Sequence, residues 1–220
     1  ICGNDDYVDD ACRNESKYIV APWDDAVAYY VGSLQDRSSG SLVSSGMGSH
    51  GGNLLFQKVN DRCMNFHTCG VDGRQSIGDA QVNILIFICF RNGKNDLLRG
   101  KCERAAKEKE KIVSLMKVPL IQGLLRIAYI MDMDQYHFST EDEAEGATLA
   151  AALLPFVHAC SPSDGDTIYQ NMKIQDRRNP GKDTNEDGSL FVNVKDALER
   201  NYECLHVKCS AVGGLIDIHR

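Results

Sequence analysis

The 220-residue sequence contains none of the short motifs that mark the common enzyme classes. It has no H-E-x-x-H zinc motif, no G-x-S-x-G nucleophile turn, no Walker phosphate loop and no strand-glycine-helix pattern of the Rossmann type. Its six histidines do not show the spacing of metal ligands. We therefore expect a binding protein rather than an enzyme.

Positive charge is also in short supply, because 24 Lys and Arg residues stand against 31 Asp and Glu residues, for a net charge of −7. Nucleic-acid binders carry a basic surface, so this balance argues against that class and agrees with a cation as partner. The best apolar run, Val82–Phe90, is about half the ~20 residues that a membrane-spanning helix needs. Because the chain begins at Ile1, we expect that a signal peptide was removed or that the chain was trimmed.

Cysteine, by contrast, is abundant, with nine residues and no C-x-x-C pair. Scattered cysteines without zinc-site spacing are typical of disulfides formed in an oxidising compartment. This predicts an extracellular, cell-surface or periplasmic protein, and the sequon Asn14-Glu15-Ser16 agrees with a secreted glycoprotein. The odd count leaves one thiol free or paired outside the chain. A reduced cytosolic protein with many buried cysteines is the alternative.

Helical periodicity runs through the sequence, and β-branched alternation is nearly absent. This predicts a mainly α, multi-helix, bundle-like domain over residues 22–215, with a disulfide-stapled arm at 1–21 and a tail at 216–220. The predicted helices are Trp23–Gln35, Asn53–Phe66, Asp79–Phe90, Lys101–Met116, Pro119–Met131, Glu143–Leu154, Asp164–Met172 and Phe191–Tyr202. Pro22 and Pro119 are expected at helix starts, Asn92-Gly93 at a helix end, and Ser139 in a capping box.

The predicted helix Pro119–Met131 is apolar on nearly every side, which indicates burial. Gln122, Arg126 and Tyr129 nevertheless form a narrow polar stripe along it, at positions i, i+4 and i+7. A buried guanidinium needs an anion beside it. That anion is either a bound ligand or an internal carboxylate that bridges the bundle, and the internal bridge is the simpler interpretation.

Two other predicted helices carry polar side chains in unusual surroundings. Asp25 and Tyr29 lie together at i and i+4, next to Gly32, and Glu145 is set among alanines and glycine. A favourable helix N-terminus or plain solvation would explain the carboxylates equally well. Carboxylate and phenolate oxygens are also the hard donors that suit a hard, highly charged cation. Such a cation would lower the tyrosine pKa from about 10 and make binding sensitive to pH.

Seven segments across residues 22–215 carry a family resemblance: Trp23–Ser33, Arg62–Gly70, Val118–Arg126, Ala144–Ala147, Leu154–Cys160, Ile168–Met172 and Val212–Leu215. With these segments in this order, the sequence resembles the algal iron-assimilation family that includes the phytotransferrins of diatoms. It departs from the family's pattern around Asn53–Asp61, where an alanine-rich helix is expected, and in the loop near Pro180.

The resemblance implies capture of ferric iron at the cell surface with carbonate or bicarbonate, entry into endosomes and release on acidification. It also implies a longer natural chain with a repeated domain or a membrane anchor, and further cysteines that pair the odd one. The predicted site comprises Asp25, Tyr29, Tyr129 and Glu145 as iron ligands and Arg126 and Gln122 for the anion. A metal-free interaction or adhesion module and a bicarbonate-binding protein remain as alternatives.

Overall fold

The computed structural model describes residues 16–31, 55–133, 139–174 and 190–216. Within these ranges the chain forms eight helices and no strand, which confirms the mainly α class. The helices are α1 (Ser16–Val31), α2 (Leu55–Phe66), α3 (Gln81–Leu98), α4 (Cys102–Met133), α5 (Thr140–Cys160), α6 (Pro162–Met172), α7 (Leu190–Arg200) and α8 (Cys209–Val212). Backbone contacts divide the chain into unit 1, Ile1–Met116, and unit 2, Lys117–Arg220.

Unit 1 is held together by aromatic side chains. Helix α1 packs against α2 and α3, and α2 packs against α3. The rings of Tyr30 and Phe56 meet edge to face at 6.2 Å, and those of Trp23 and Phe90 do so at 5.9 Å. Edge-to-face pairs of this kind add to the stability that comes from apolar burial. The aromatic residues of α1 therefore join it to both neighbouring helices.

Helix α3 continues past Asn92-Gly93, so the predicted helix end at that dipeptide is wrong. Gly93 is buried inside α3, and a Cβ atom there would overlap the indole of Trp23. The glycine is thus needed for close packing of a neighbouring ring and not for a turn. Sequence alone does not distinguish these two uses of glycine.

Two prolines that the sequence placed at helix starts lie inside helices instead. Helix α1 begins at Ser16, six residues before Pro22, so the predicted irregular arm ends earlier than residue 21. Helix α4 runs without a break through Pro119, so Lys101–Met116 and Pro119–Met131 are not separate helices. An internal proline costs a helix about 3 kcal/mol. Burial of the surrounding apolar residues offsets that cost at Pro119, which is itself buried.

Unit 2 is built on the C-terminal half of α4, where Ile121, Leu124 and Ile127 are fully buried. This confirms the burial predicted for that segment. Helix α5 packs against α6, and α6 against α7. The predicted capping box also forms, because the Ser139 hydroxyl accepts a hydrogen bond from the Asp142 N–H while the Asp142 carboxylate accepts one from the Ser139 N–H.

By length and composition α4 could cross a membrane, although the sequence showed no continuous apolar run of that length. The apolar residues of α4 are interrupted by Lys117, Gln122 and Arg126, so they do not form a continuous apolar run in the sequence. More than half of the most apolar stretch of α4 is buried within the protein. The core of unit 2 thus accounts for this hydropathy.

Two disulfides confirm the prediction of disulfide stapling for four cysteines: Cys63–Cys69 in unit 1 and Cys160–Cys204 in unit 2. Cys89 and Cys209 are free thiols. The remaining features of the predicted arm, Cys2, Cys12 and the sequon at Asn14, lie outside the described residues.

Candidate functional site

The first part of the predicted site lies on the exposed side of α1. Tyr29 is 82% exposed, and Asp25, one turn earlier on the same face, is exposed as well. The adjacent Tyr30 is 3% exposed and its hydroxyl donates to Asn83 Oδ1. Successive helix residues point about 100° apart, so neighbouring tyrosines are divided between surface and core. Gly32, which the sequence placed beside this pair, lies outside the described residues.

The polar stripe of α4 faces the C-terminal part of unit 2. Gln122 is 1% exposed, and its amide Nε2 donates to the Val212 carbonyl at 2.8 Å. Tyr129 is half-buried and its ring meets Phe191 edge to face at 5.3 Å. Arg126, between them in the stripe, is also half-buried. Gln122 therefore has a structural bond in addition to any part in anion binding.

Glu145 lies on α5, next to the point where α5 meets α4. A Cβ atom on Gly146 would come within 2.8 Å of Ile127, so the absence of a side chain allows this close approach. Arg126 directly precedes Ile127, and Glu145 directly precedes Gly146. Both side chains are half-buried. Arg126 and Glu145 thus each adjoin a residue of the same helix–helix contact in unit 2.

The described tyrosines differ in burial. Burial raises the pKa of Tyr30 and of Tyr202 well above the usual value of 10, because it removes water from the phenolate. Tyr29 and Tyr129 keep access to solvent, and so does Tyr169, which is 50% exposed. A phenolate ligand requires loss of the hydroxyl proton, and burial opposes this at Tyr30 and Tyr202.

Unit 2 contains an ionic cluster that the sequence did not reveal. The buried Asp164 carboxylate on α6 accepts hydrogen bonds from Arg200 Nη2 at 2.6 Å and from Asn201 Nδ2 at 2.8 Å. The Arg200 guanidinium is the main reason that the pKa of Asp164 lies below its usual range. Arg200 and Asn201 are 36 and 37 residues from Asp164 in the chain, so no local spacing could have identified them. This cluster joins α6 to the end of α7.

A second cluster that the sequence did not reveal lies in unit 1. The Cys89 thiol lies near the Glu108 carboxylate, and Lys111 Nζ lies 2.7 Å from the same carboxylate. Burial, followed by the effect of Glu108, raises the pKa of Cys89 to about 11. A thiol with so high a pKa is a weak nucleophile at neutral pH. The cluster brings Cys89 of α3 together with Glu108 and Lys111 of α4.

The candidate iron ligands comprise an aspartate and a tyrosine in unit 1, Asp25 and Tyr29, and a tyrosine and a glutamate in unit 2, Tyr129 and Glu145. In the part of the chain that the structure describes, no three His, Cys, Asp or Glu side chains are grouped closely enough to hold a metal ion. Metal binding by these candidates would therefore depend on tyrosine oxygen as well as carboxylate.

Comparison of the chain with protein-family models, curated proteins and solved structures finds no match. The resemblance to the algal iron-assimilation family therefore depends on the seven sequence segments alone.

Proposed function

We propose that this protein binds ferric iron together with carbonate at the cell surface and serves iron uptake. The observation that carries the proposal is the difference in burial among the tyrosines. Tyr29 and Tyr129, the two tyrosines predicted as iron ligands, are accessible to solvent, whereas Tyr30 and Tyr202 are buried with raised pKa values. The two predicted tyrosine ligands thus lie at positions that a cation can approach from solvent.

The chemistry of the surrounding residues supports the same proposal. In unit 1, the Asp25 carboxylate is one helical turn from Tyr29, so both oxygens can reach one cation. In unit 2, Arg126 is three residues before Tyr129 on α4 and supplies positive charge for a carbonate ion. The net charge of −7 also favours attraction of a trivalent cation to the protein.

Acid release follows from the same ligands. Phenolate, carboxylate and carbonate all bind protons as the pH falls, and each proton competes with the metal for the oxygen. A protein that is exposed to an acidic compartment after internalisation would then lose its iron there. The two disulfides agree with an oxidising location before that step.

A titration with Fe³⁺, supplied as a weak chelate with and without bicarbonate, tests the proposal. We expect a visible phenolate-to-iron absorption band that requires bicarbonate. Tyr29→Phe and Tyr129→Phe each remove one phenol, and Tyr129→Phe keeps the ring packed on Phe191. Tyr169→Phe is the matched control, because Tyr169 is accessible but lies outside the proposed site. Absence of the band, or equal loss in the control, would refute iron binding by these tyrosines.

A metal-free interaction module is the second candidate, favoured by the loop between α2 and α3. Val71 and Ile77 are 76% and 71% exposed there, and both are apolar. The Cys63–Cys69 disulfide and reciprocal backbone bonds between Cys69 and Gln75 hold the loop in shape. A preorganised loop loses less entropy on binding. Under this candidate, Val71→Ser with Ile77→Ser reduces attachment of the protein to cells, and the ferric titration gives no signal.

A further inference from the structure

Residues 201–212, which we call the strap, are attached to the rest of unit 2 at separate points. Lys117 Nζ donates to the Leu205 carbonyl at 2.9 Å, and Gln122 Nε2 donates to the Val212 carbonyl at 2.8 Å. The covalent attachment is the disulfide from Cys204 to Cys160 at the end of α5. Leu205 and Val212 are each 1% exposed. The strap thus covers the part of α4 that holds Lys117 and Gln122.

The strap also contains a free thiol. Cys209 and Cys204 are both exposed, whereas Cys160 is half-buried. Within the strap, the Leu205 N–H donates to the Asn201 carbonyl and the Val207 N–H donates to the Tyr202 carbonyl, so Cys204 lies in a pair of overlapping turns. The exposed Cys209 and the exposed, disulfide-bonded Cys204 are thus five residues apart in the same segment.

Chain length favours attack of Cys209 on Cys204 over attack on Cys160. Cys209 is five residues from Cys204 and 49 residues from Cys160. The Cys63–Cys69 disulfide closes a ring of nearly the same size, with a sequence separation of 6. Short connections give high effective concentrations of the two ends. Cys204 is also the more exposed of the two bonded cysteines.

We propose that the strap carries an exchangeable disulfide, in which the Cys209 thiolate displaces Cys160 from Cys204. Cys209 first loses its proton to solvent, and its sulfur then attacks Cys204 Sγ. The Cys204–Cys209 bond forms as the Cys160–Cys204 bond breaks, and Cys160 leaves as a thiolate that takes up a proton. One disulfide and one thiol are present before and after, so the step needs no oxidant or reductant.

The exchange would remove the disulfide cross-link between the strap and α5, so that hydrogen bonds and packing alone would hold the strap against α4. Local opening then becomes easier, and Lys117 and Gln122 become accessible. Gln122 is also a candidate for anion binding, so the exchange would affect the proposed site, but the disulfide step itself can be measured without metal.

Peptide mapping of the purified, non-reduced full chain tests the proposal. Trypsin cleaves after Lys208, so Cys204 and Cys209 fall on different peptides that only a disulfide can join. After incubation near the ordinary thiol pKa of about 8.5, acid quenching and alkylation, we expect the joined peptide and an alkylated Cys160. Cys209→Ser should lose the joined peptide and stay folded, since Cys209 is exposed. An exchange within one molecule also keeps its yield on about tenfold dilution.

Three results would overturn the proposal: persistence of Cys160–Cys204 as the sole linkage among these cysteines, a bond between Cys209 and Cys160, or a yield that falls with dilution. Labelling of lysines by an amine reagent gives an independent measurement. Lys117 should label faster in wild type after incubation than in Cys209→Ser, while the exposed Lys111 is unchanged. Exchange without faster labelling of Lys117 would show that the disulfide does not hold the strap closed.

Discussion

Substitution of Gly93 by alanine should destabilise unit 1, although alanine is the better helix former. In α3 the exchange gains about 1 kcal/mol of helix propensity. The new Cβ overlaps the Trp23 indole, and such overpacking costs about 1–3 kcal/mol. If the ring moves away, it also loses its hydrogen bond from Nε1 to the Phe90 carbonyl, worth about 0.5–1.5 kcal/mol. We expect a net loss of about 0.5–3.5 kcal/mol.

A double-mutant cycle makes this prediction specific to the Trp23 contact. In a Trp23→Ala background the overlap is gone, so Gly93→Ala should become stabilising by up to about 1 kcal/mol. Urea unfolding followed by circular dichroism measures each step. Trp23 is the single tryptophan of the chain, so its fluorescence also reports directly on displacement of the ring. Unchanged fluorescence with equal or greater stability of Gly93→Ala in the wild-type background would refute the packing argument.

Three further predictions concern unit 2. The pKa of Asp164 lies below the unfolded value of 3.8, so this carboxylate contributes its full stability above about pH 4 and loses it as the pH falls through the native pKa. In acid unfolding curves, Asp164→Asn should therefore lose less stability between neutral and acidic pH than wild type does. Burial lowers the pKa of Lys117 below its unfolded value of 10.5, so the stability of the protein should rise as the pH increases from the native pKa towards 10.5. Lys117→Met should abolish that rise in alkaline unfolding curves. Arg126→Ala should remove the bicarbonate dependence of ferric binding; if Arg126 is only an internal bridge, stability falls by up to about 3–5 kcal/mol while ligand binding is retained.

Local interactions explain what could be predicted about the candidate site. Asp25 and Tyr29 were predicted to lie together at i and i+4, and both are exposed on α1, whereas the adjacent Tyr30 is buried, as helical periodicity requires. The polar stripe of α4 was also predicted from spacing. Its partners were not, because the Val212 carbonyl that binds Gln122 is 90 residues away in the chain.

The sequence by itself determined the helical class, the capping box at Ser139 and the presence of disulfides, because these depend on side chains a few residues apart or on composition. Tertiary structure alone decided that α4 continues through Pro119 and that Gly93 serves packing and not chain reversal. It also decided that Cys160 pairs with Cys204. In each of these cases distant residues supply the contacts whose free energy outweighs the local preference of the chain.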